Sequence, residues 1–179
     1  MSDLYNQIVS QRGSFENLVA RMPGFKGYVD KAARRTADRM VRDHIADLLT
    51  QRISRFAQIQ KKVLDNGGLS SMGKMQNVQM KMQTFRDRVK NSAAPGYSGF
   101  GEAIKIGAEE LESLYSFDEA LIRYTDKFDE ALNALDQSVT SNQPIDEALA
   151  KLDQVTAEAS EAFTLREAVL TNLSKSLSA

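Results

Sequence analysis

Between residues 111 and 173 the apolar positions recur at alternating steps of three and four, interrupted once. In the first run, positions 111, 114, 118, 121, 125, 128, 132, 135 and 139 hold Leu, Leu, Asp, Leu, Thr, Phe, Leu, Leu and Val. In the second, positions 145, 149, 152, 156, 159, 163, 166, 170 and 173 hold Ile, Leu, Leu, Thr, Ala, Phe, Arg, Leu and Leu. This spacing keeps one stripe of each helix facing a partner helix. Folding the pair back at about residue 142 sets Val139 against Ile145, Leu135 against Leu149 and Leu121 against Phe163. The single acid of one seam, Asp118, then meets the single base of the other, Arg166. An antiparallel hairpin with a salt bridge at that level is the expectation.

The N-terminal half reads the same way. Short helices are expected over Asp3–Arg12 and Phe15–Met22, with Gly13 stopping the first and Ser14 capping the second. Pro23-Gly24-Phe25-Lys26-Gly27 is a turn. A long helix follows over about Tyr28–Asp65, with a stripe of Val29, Ala33, Ala37, Met40, His44 and Leu48 continued by Ile45, Leu49, Ile53, Phe56, Ile59 and Val63. Asn66-Gly67-Gly68 ends it, and a Met-rich helix over Ser70–Asn91 returns along it, placing Ile59 near Met75 and Ile45 near Val89. The returning helix is the shorter, so the start of its partner needs cover from Phe15–Met22 and from the connection carrying Tyr97, Phe100, Ile104 and Ile106. The last two helices are expected over Ala108–Thr140 and Pro144–Leu177. The fold class predicted is all-α: an elongated antiparallel four-helix bundle with short N-terminal helices, in one domain over 1–179. Within it, 1–94 is a basic hairpin with its leading helices, 95–107 a Gly/aromatic connection, and 108–179 an acidic hairpin.

Charge divides at that connection. Residues 1–94 carry 17 Lys and Arg against 8 Asp and Glu, whereas residues 95–179 carry 6 against 16. Halves of opposite sign can neutralise each other along their length, or one can bind nucleic acid or a membrane. The run Lys31–Arg42 is the densest basic stretch, but Asp30, Asp38, Asp43 and Asp47 dilute it and no aromatic platform interleaves it. A solvated face is expected there, and nucleic acid is an unlikely partner. Leu4, Tyr5, Ile8 and Val9, followed by Phe15, Leu18, Val19 and Met22, give the N-terminus an apolar stripe with Arg12, Arg21 and Lys26 nearby. That stripe suits either a membrane surface or the cap of a helical core.

The chemistry-bearing residues are sparse. Cysteine is absent and His44 is the only histidine. No thiolate, Cys-ligated zinc site or nucleophile–base pair of a familiar type can be assembled. Val41 stands where a Glu-x-x-His metal motif would need its Glu, so His44 reads as a core-edge histidine with one hydrogen-bond partner. Glu109, Glu110 and Glu112 complement a helix start. Gly68-Leu-Ser-Ser-Met-Gly73-Lys74 matches a phosphate loop in outline. Met75, however, replaces the hydroxyl that would hold magnesium, and the segment lies between helices. Gly99-x-Gly101 has no strand before it. Met72, Met75, Met80 and Met82 read as core packing rather than a partner groove. No catalytic, cofactor-binding or metal residue is assigned, no cofactor is expected, and no small-molecule substrate is evident.

Three segments carry a resemblance: Pro23-Gly-Phe-Lys-Gly-Tyr28, Gly96-Tyr-Ser-Gly-Phe-Gly-Glu-Ala-Ile-Lys105 and Leu111-Glu-Ser-Leu-Tyr-Ser-Phe-Asp118. Together they resemble a family of small bacterial all-helical proteins, over about residues 14–170. The resemblance implies a helical fold and a bacterial, intracellular setting, and it brings no activity or binding residues. The short amphipathic start and charged hairpin are also similar in architecture to phage-shock and membrane-remodelling coiled-coil proteins. The chain departs from those in its shorter hairpin and its Gly-rich interruption. No secretory signal is seen in the first residues and no apolar run reaches membrane-span length, so a cytoplasmic location is expected. The function expected is a non-enzymatic scaffold or protein-interaction protein, acting with a protein partner or by self-association. The alternative is a peripheral membrane protein using the N-terminus.

Overall fold

The computed structural model describes residues 3–28, 34–92 and 108–175. These residues form six α-helices and no strand: α1 (Asp3–Val9), α2 (Ser14–Arg21), α3 (Arg34–Asp65), α4 (Met72–Asn91), α5 (Ala108–Thr140) and α6 (Asp146–Lys175). One 3-10 turn, Leu69–Ser71, leads into α4. No described helix is long and apolar enough to cross a membrane.

The seams fold as their spacing requires. From Leu114 to Val139 and from Leu149 to Leu170, every seam position of α5 and α6 is buried, and the outermost, Leu111 and Ile145, are half-buried. The seam threonines satisfy their hydroxyls locally: Thr125 donates to the Ile122 carbonyl and Thr156 to that of Leu152. Asn142, at the foreseen fold-back, takes φ 52°, a conformation asparagine tolerates better than most residues. At the other hairpin Gly67 has φ 81°, and the Gly68 amide bonds the Val63 carbonyl, closing α3 with a left-handed cap. In the segment that matches a phosphate loop in outline, the Gly68 amide is thus engaged within the cap, and Lys74 pairs with Asp146 at 2.6 Å.

Several expectations are corrected. Tyr28 is not helical, α1 stops at Val9, and Ser14 does not cap α2. Its hydroxyl lies instead 3.3 Å from that of Ser116. Val29, Ala33, Tyr97, Phe100, Ile104 and Ile106 lie outside the described residues. The buried edge of α3 near its start runs through Ala37, Asp38, Val41, Arg42 and Ile45, while Met40, His44 and Leu48 flank it half-buried. α1 and α2 do not lie along the start of α3 either. α2 packs on α5, and α1 on α5 and α6. α5 is thereby covered on its outer side too. Ser116 to Ile122 are consecutively buried, as a helix enclosed all round must be.

The N-terminal stripe supplies this cover. Ile8, Leu18 and Met22 are buried, with Leu4, Tyr5, Val9 and Phe15 packed against the core. Phe15, Phe25, Tyr28 and Tyr115 form an aromatic group with ring centroids 5.0 to 6.4 Å apart, within the range of favourable tilted and edge-on contacts.

Candidate functional site

The least expected feature of the interior is a set of buried charges where these elements meet. Arg166 of α6, 1% exposed, donates from Nε to Asp118 Oδ1 at 2.6 Å and from Nη2 to Asp38 Oδ1 at 2.7 Å. The Tyr28 hydroxyl donates to the second oxygen of Asp118 and accepts from Arg166 Nη2 at 3.3 Å. Arg42 completes the group. Its Nε reaches Asp38 Oδ2 at 2.9 Å, and its Nη1 donates to the Lys90 carbonyl at 2.9 Å. A cation there complements the negative end of the α4 dipole.

Arg34, also buried, donates from Nε to the Tyr28 carbonyl at 3.3 Å, and every oxygen of Asp118 and Asp38 has a donor. That is the condition under which buried charge is tolerated. Burial pushes the Asp118 carboxyl up, against the pull of Arg166 and the Tyr28 hydrogen bond. Burial alone would lower the Arg166 guanidinium, but Asp118 and Asp38 more than reverse this and hold it protonated. Burial, followed by the Asp118 charge, holds the Tyr28 phenol well above its ordinary value, so it remains a donor. Among the described residues each acid of the group faces a cation, and the Arg42 and Arg166 guanidinium groups both donate to these acids. The group ties the Met22–Tyr28 turn, α3, the end of α4, α5 and α6 to one register.

The turn is held closely. Gly27 has φ 78°, and a Cβ there would stand 2.6 Å from the Tyr115 hydroxyl. The same hydroxyl accepts the Tyr28 backbone N–H at 2.9 Å. Pro23–Tyr28 and Leu111–Asp118, two of the three segments that carry the family resemblance, are therefore in contact. The third lies outside the described residues.

The Asp118–Arg166 pair is the one foreseen. Tyr28 and Asp38 were not. The available signal for Asp38 was its spacing, four before Arg42 and seven before Ile45, on the edge that α3 buries. Arg34 and Arg42 are buried rather than solvated, so the basic run is partly interior. His44 is half-buried without a hydrogen-bond partner among the described residues. Met75 and Met82 are core, while Met80 is 61% exposed. Among the described residues no three His, Cys, Asp or Glu side chains gather in a geometry that could hold a metal ion.

Away from the interior, the two halves are joined by ion pairs. Arg52 meets Asp129, Lys62 meets Asp136, Lys81 meets Asp153 and Arg88 meets Glu167. The Arg21 guanidinium makes two hydrogen bonds to Asp126, each 2.6 Å. No family model, no curated protein and no solved structure matches the chain.

Proposed function

We propose that this chain is a non-enzymatic scaffold or protein-interaction protein of the bacterial cytoplasm, built as an elongated antiparallel four-helix bundle. Lys74–Asp146, Lys81–Asp153 and Arg88–Ser160 contacts all span 72 residues. A constant separation at heptad steps supports α4 and α6 lying side by side in one direction, with each hairpin antiparallel within itself. The charge asymmetry is then spent on internal pairing, which leaves little of it for a nucleic acid.

One observation carries the interaction reading. The described surface exposes Leu64 at 47% and Leu69 at 71%, one on either side of the turn between α3 and α4. Large apolar side chains left in solvent on both sides of one turn offer a contact surface if a partner covers them together. A photo-reactive residue placed at position 69 of the full chain tests this in cells. The expected result is one discrete adduct, with this chain or another protein, that disappears when Leu64 is changed to Ser. A diffuse background, or no adduct, would overturn the reading.

A peripheral membrane role is the second reading. It requires α1 and α2 to leave α5, because Val19 is their one strongly exposed large apolar residue. Flotation with anionic vesicles tests it, and protein that stays with the soluble fraction counts against it.

A further inference from the structure

A cleft of about 360 Å³ opens where α1 crosses α5 and α6, within the size range of small-molecule sites. Its α5 wall carries Arg123, Tyr124 and Lys127, and its α6 wall Glu158 and Glu161. Leu4, Ile8 and Ala120 make the apolar floor and side.

Tyr124 gives the cleft a free donor. The residue is only 6% exposed, and its hydroxyl, which is reached by solvent, makes no hydrogen bond to another described residue. A polar group in that position can bond a ligand at little cost in desolvation. Burial, and then Glu158, push its pKa up to about 12, so at neutral pH it is a donor. Lys127 Nζ sits 4.6 Å over its ring, on the same wall as Arg123.

The charges around it select a ligand class. Arg123 Nε faces Glu119 at 2.8 Å, which offsets one of the two cations. Glu158 is held by Gln154 at 2.8 Å through one oxygen, and Glu161 stands exposed at the rim. A simple anion such as phosphate would face Glu158 and Glu161 uncompensated. A ligand carrying both signs would not. We propose that this cleft binds a free aliphatic amino acid. Its carboxylate meets Lys127, Arg123 and the Tyr124 hydroxyl, its ammonium meets Glu158 and Glu161, and its side chain meets Leu4, Ile8 and Ala120. The site is independent of the scaffold reading, since the turn that exposes Leu64 and Leu69 takes no part in it.

The test is a titration of the full, ¹⁵N-labelled chain with L-leucine, followed by NMR. N-acetyl-leucine, which keeps only the carboxylate, and leucinamide, which keeps only the ammonium, serve as controls. Saturable shifts centred on Gln7, Tyr124 and Glu158 are expected, with each control binding about tenfold or more weakly. Tyr124→Phe should weaken leucine binding roughly three- to tenfold, the range for one hydrogen bond. Glu161→Gln, at the exposed rim and harmless to folding, should weaken leucine and leave N-acetyl-leucine unchanged. Three results would overturn the proposal: no saturation by about 10 mM leucine, controls that bind as well as leucine, or a Glu161→Gln chain with unaltered leucine affinity.

Discussion

Asp118 and Arg166, 48 residues apart in the chain, meet at 2.6 Å with both side chains removed from solvent. Attraction between such charges is offset by the loss of their hydration, so the pair contributes more to register than to net stability. Removing one partner is another matter. Arg166→Leu strands Asp118 and takes a second donor from Asp38, and should lower unfolding stability by roughly 3–5 kcal/mol. Adding Asp118→Leu should restore only part of this, because Asp38 keeps Arg42 but not Arg166, and the Tyr28 hydroxyl loses its acceptor. Urea unfolding of the four members of the cycle measures the coupling. Simple additivity would show that the two side chains do not act together.

Gly27 sits in the left-handed region at φ 78°, with the Tyr115 hydroxyl occupying the space a side chain would need. Gly27→Ala should destabilise by about 1–3 kcal/mol through backbone strain, with the contact adding to it. Tyr115→Phe should cost less on that background than in the parent chain, because it relieves one of two close contacts, the other being Phe15 Cε2 at 2.9 Å. In the parent chain the same change should be harmful, since it leaves the Tyr28 amide without its acceptor. A smaller cost of Tyr115→Phe in the Gly27→Ala chain than in the parent, read by thermal unfolding, is the diagnostic outcome, and equal costs would show that the hydroxyl does not crowd position 27.

The α5–α6 pairing was open to reading because its seam is long, periodic and marked by one acid and one base, so a single register satisfies all positions. The start of α3 is less legible, because hydrophobicity alone points to Met40, His44 and Leu48, which are only half-buried. The helix in fact turns its Asp38 and Arg42 inward, and burial of charge is visible only once the partners are in place. Tyr28 escaped for a related reason. Nothing local distinguishes a tyrosine at a turn from one at a helix start, and its value lies in reaching a carboxylate 90 residues away. The cover of α1 and α2 over α5 is not legible in the sequence, because Ser116–Ile122 carries Asp118 and Glu119 among its apolar and small residues and so has the pattern of a one-sided helix. Tyr124 belongs to that same outer side.

The ion pairs between the halves are a different class from the interior group. Lys81 and Asp153 lie 2.8 Å apart with side chains 51% and 38% exposed, and exposed pairs typically contribute 0–1 kcal/mol. Lys81→Asp should destabilise by roughly 0.5–1 kcal/mol, since like charges then face each other. The exchanged chain, Lys81→Asp with Asp153→Lys, should regain most of it. Salt should shrink the difference between the single variant and the parent, because charges this exposed are screened. A difference unaffected by salt would mean that Lys81 acts by packing its stem rather than by charge.

His44 gives a pH dependence whose sign can be worked out. Burial lowers its pKa below the ordinary 6.5, with Arg21 acting in the same direction and Asp47 against them. Between the folded value and 6.5 the unfolded chain binds more protons than the folded one, so stability rises with pH across that window. The contribution is complete above pH 6.5 and is lost as the pH falls through the folded value. His44 is only half-buried, so solvent screening keeps the effect small. Acid also protonates many carboxylates, which makes the useful quantity the difference between the parent and His44→Gln. The parent should lose more stability than the variant on acidification through this window. Because the chain has one histidine, its ring resonances titrate without overlap and report the folded pKa directly. A midpoint at or above 6.5 would show that the ring is solvated, and the expected difference between the two chains would then vanish.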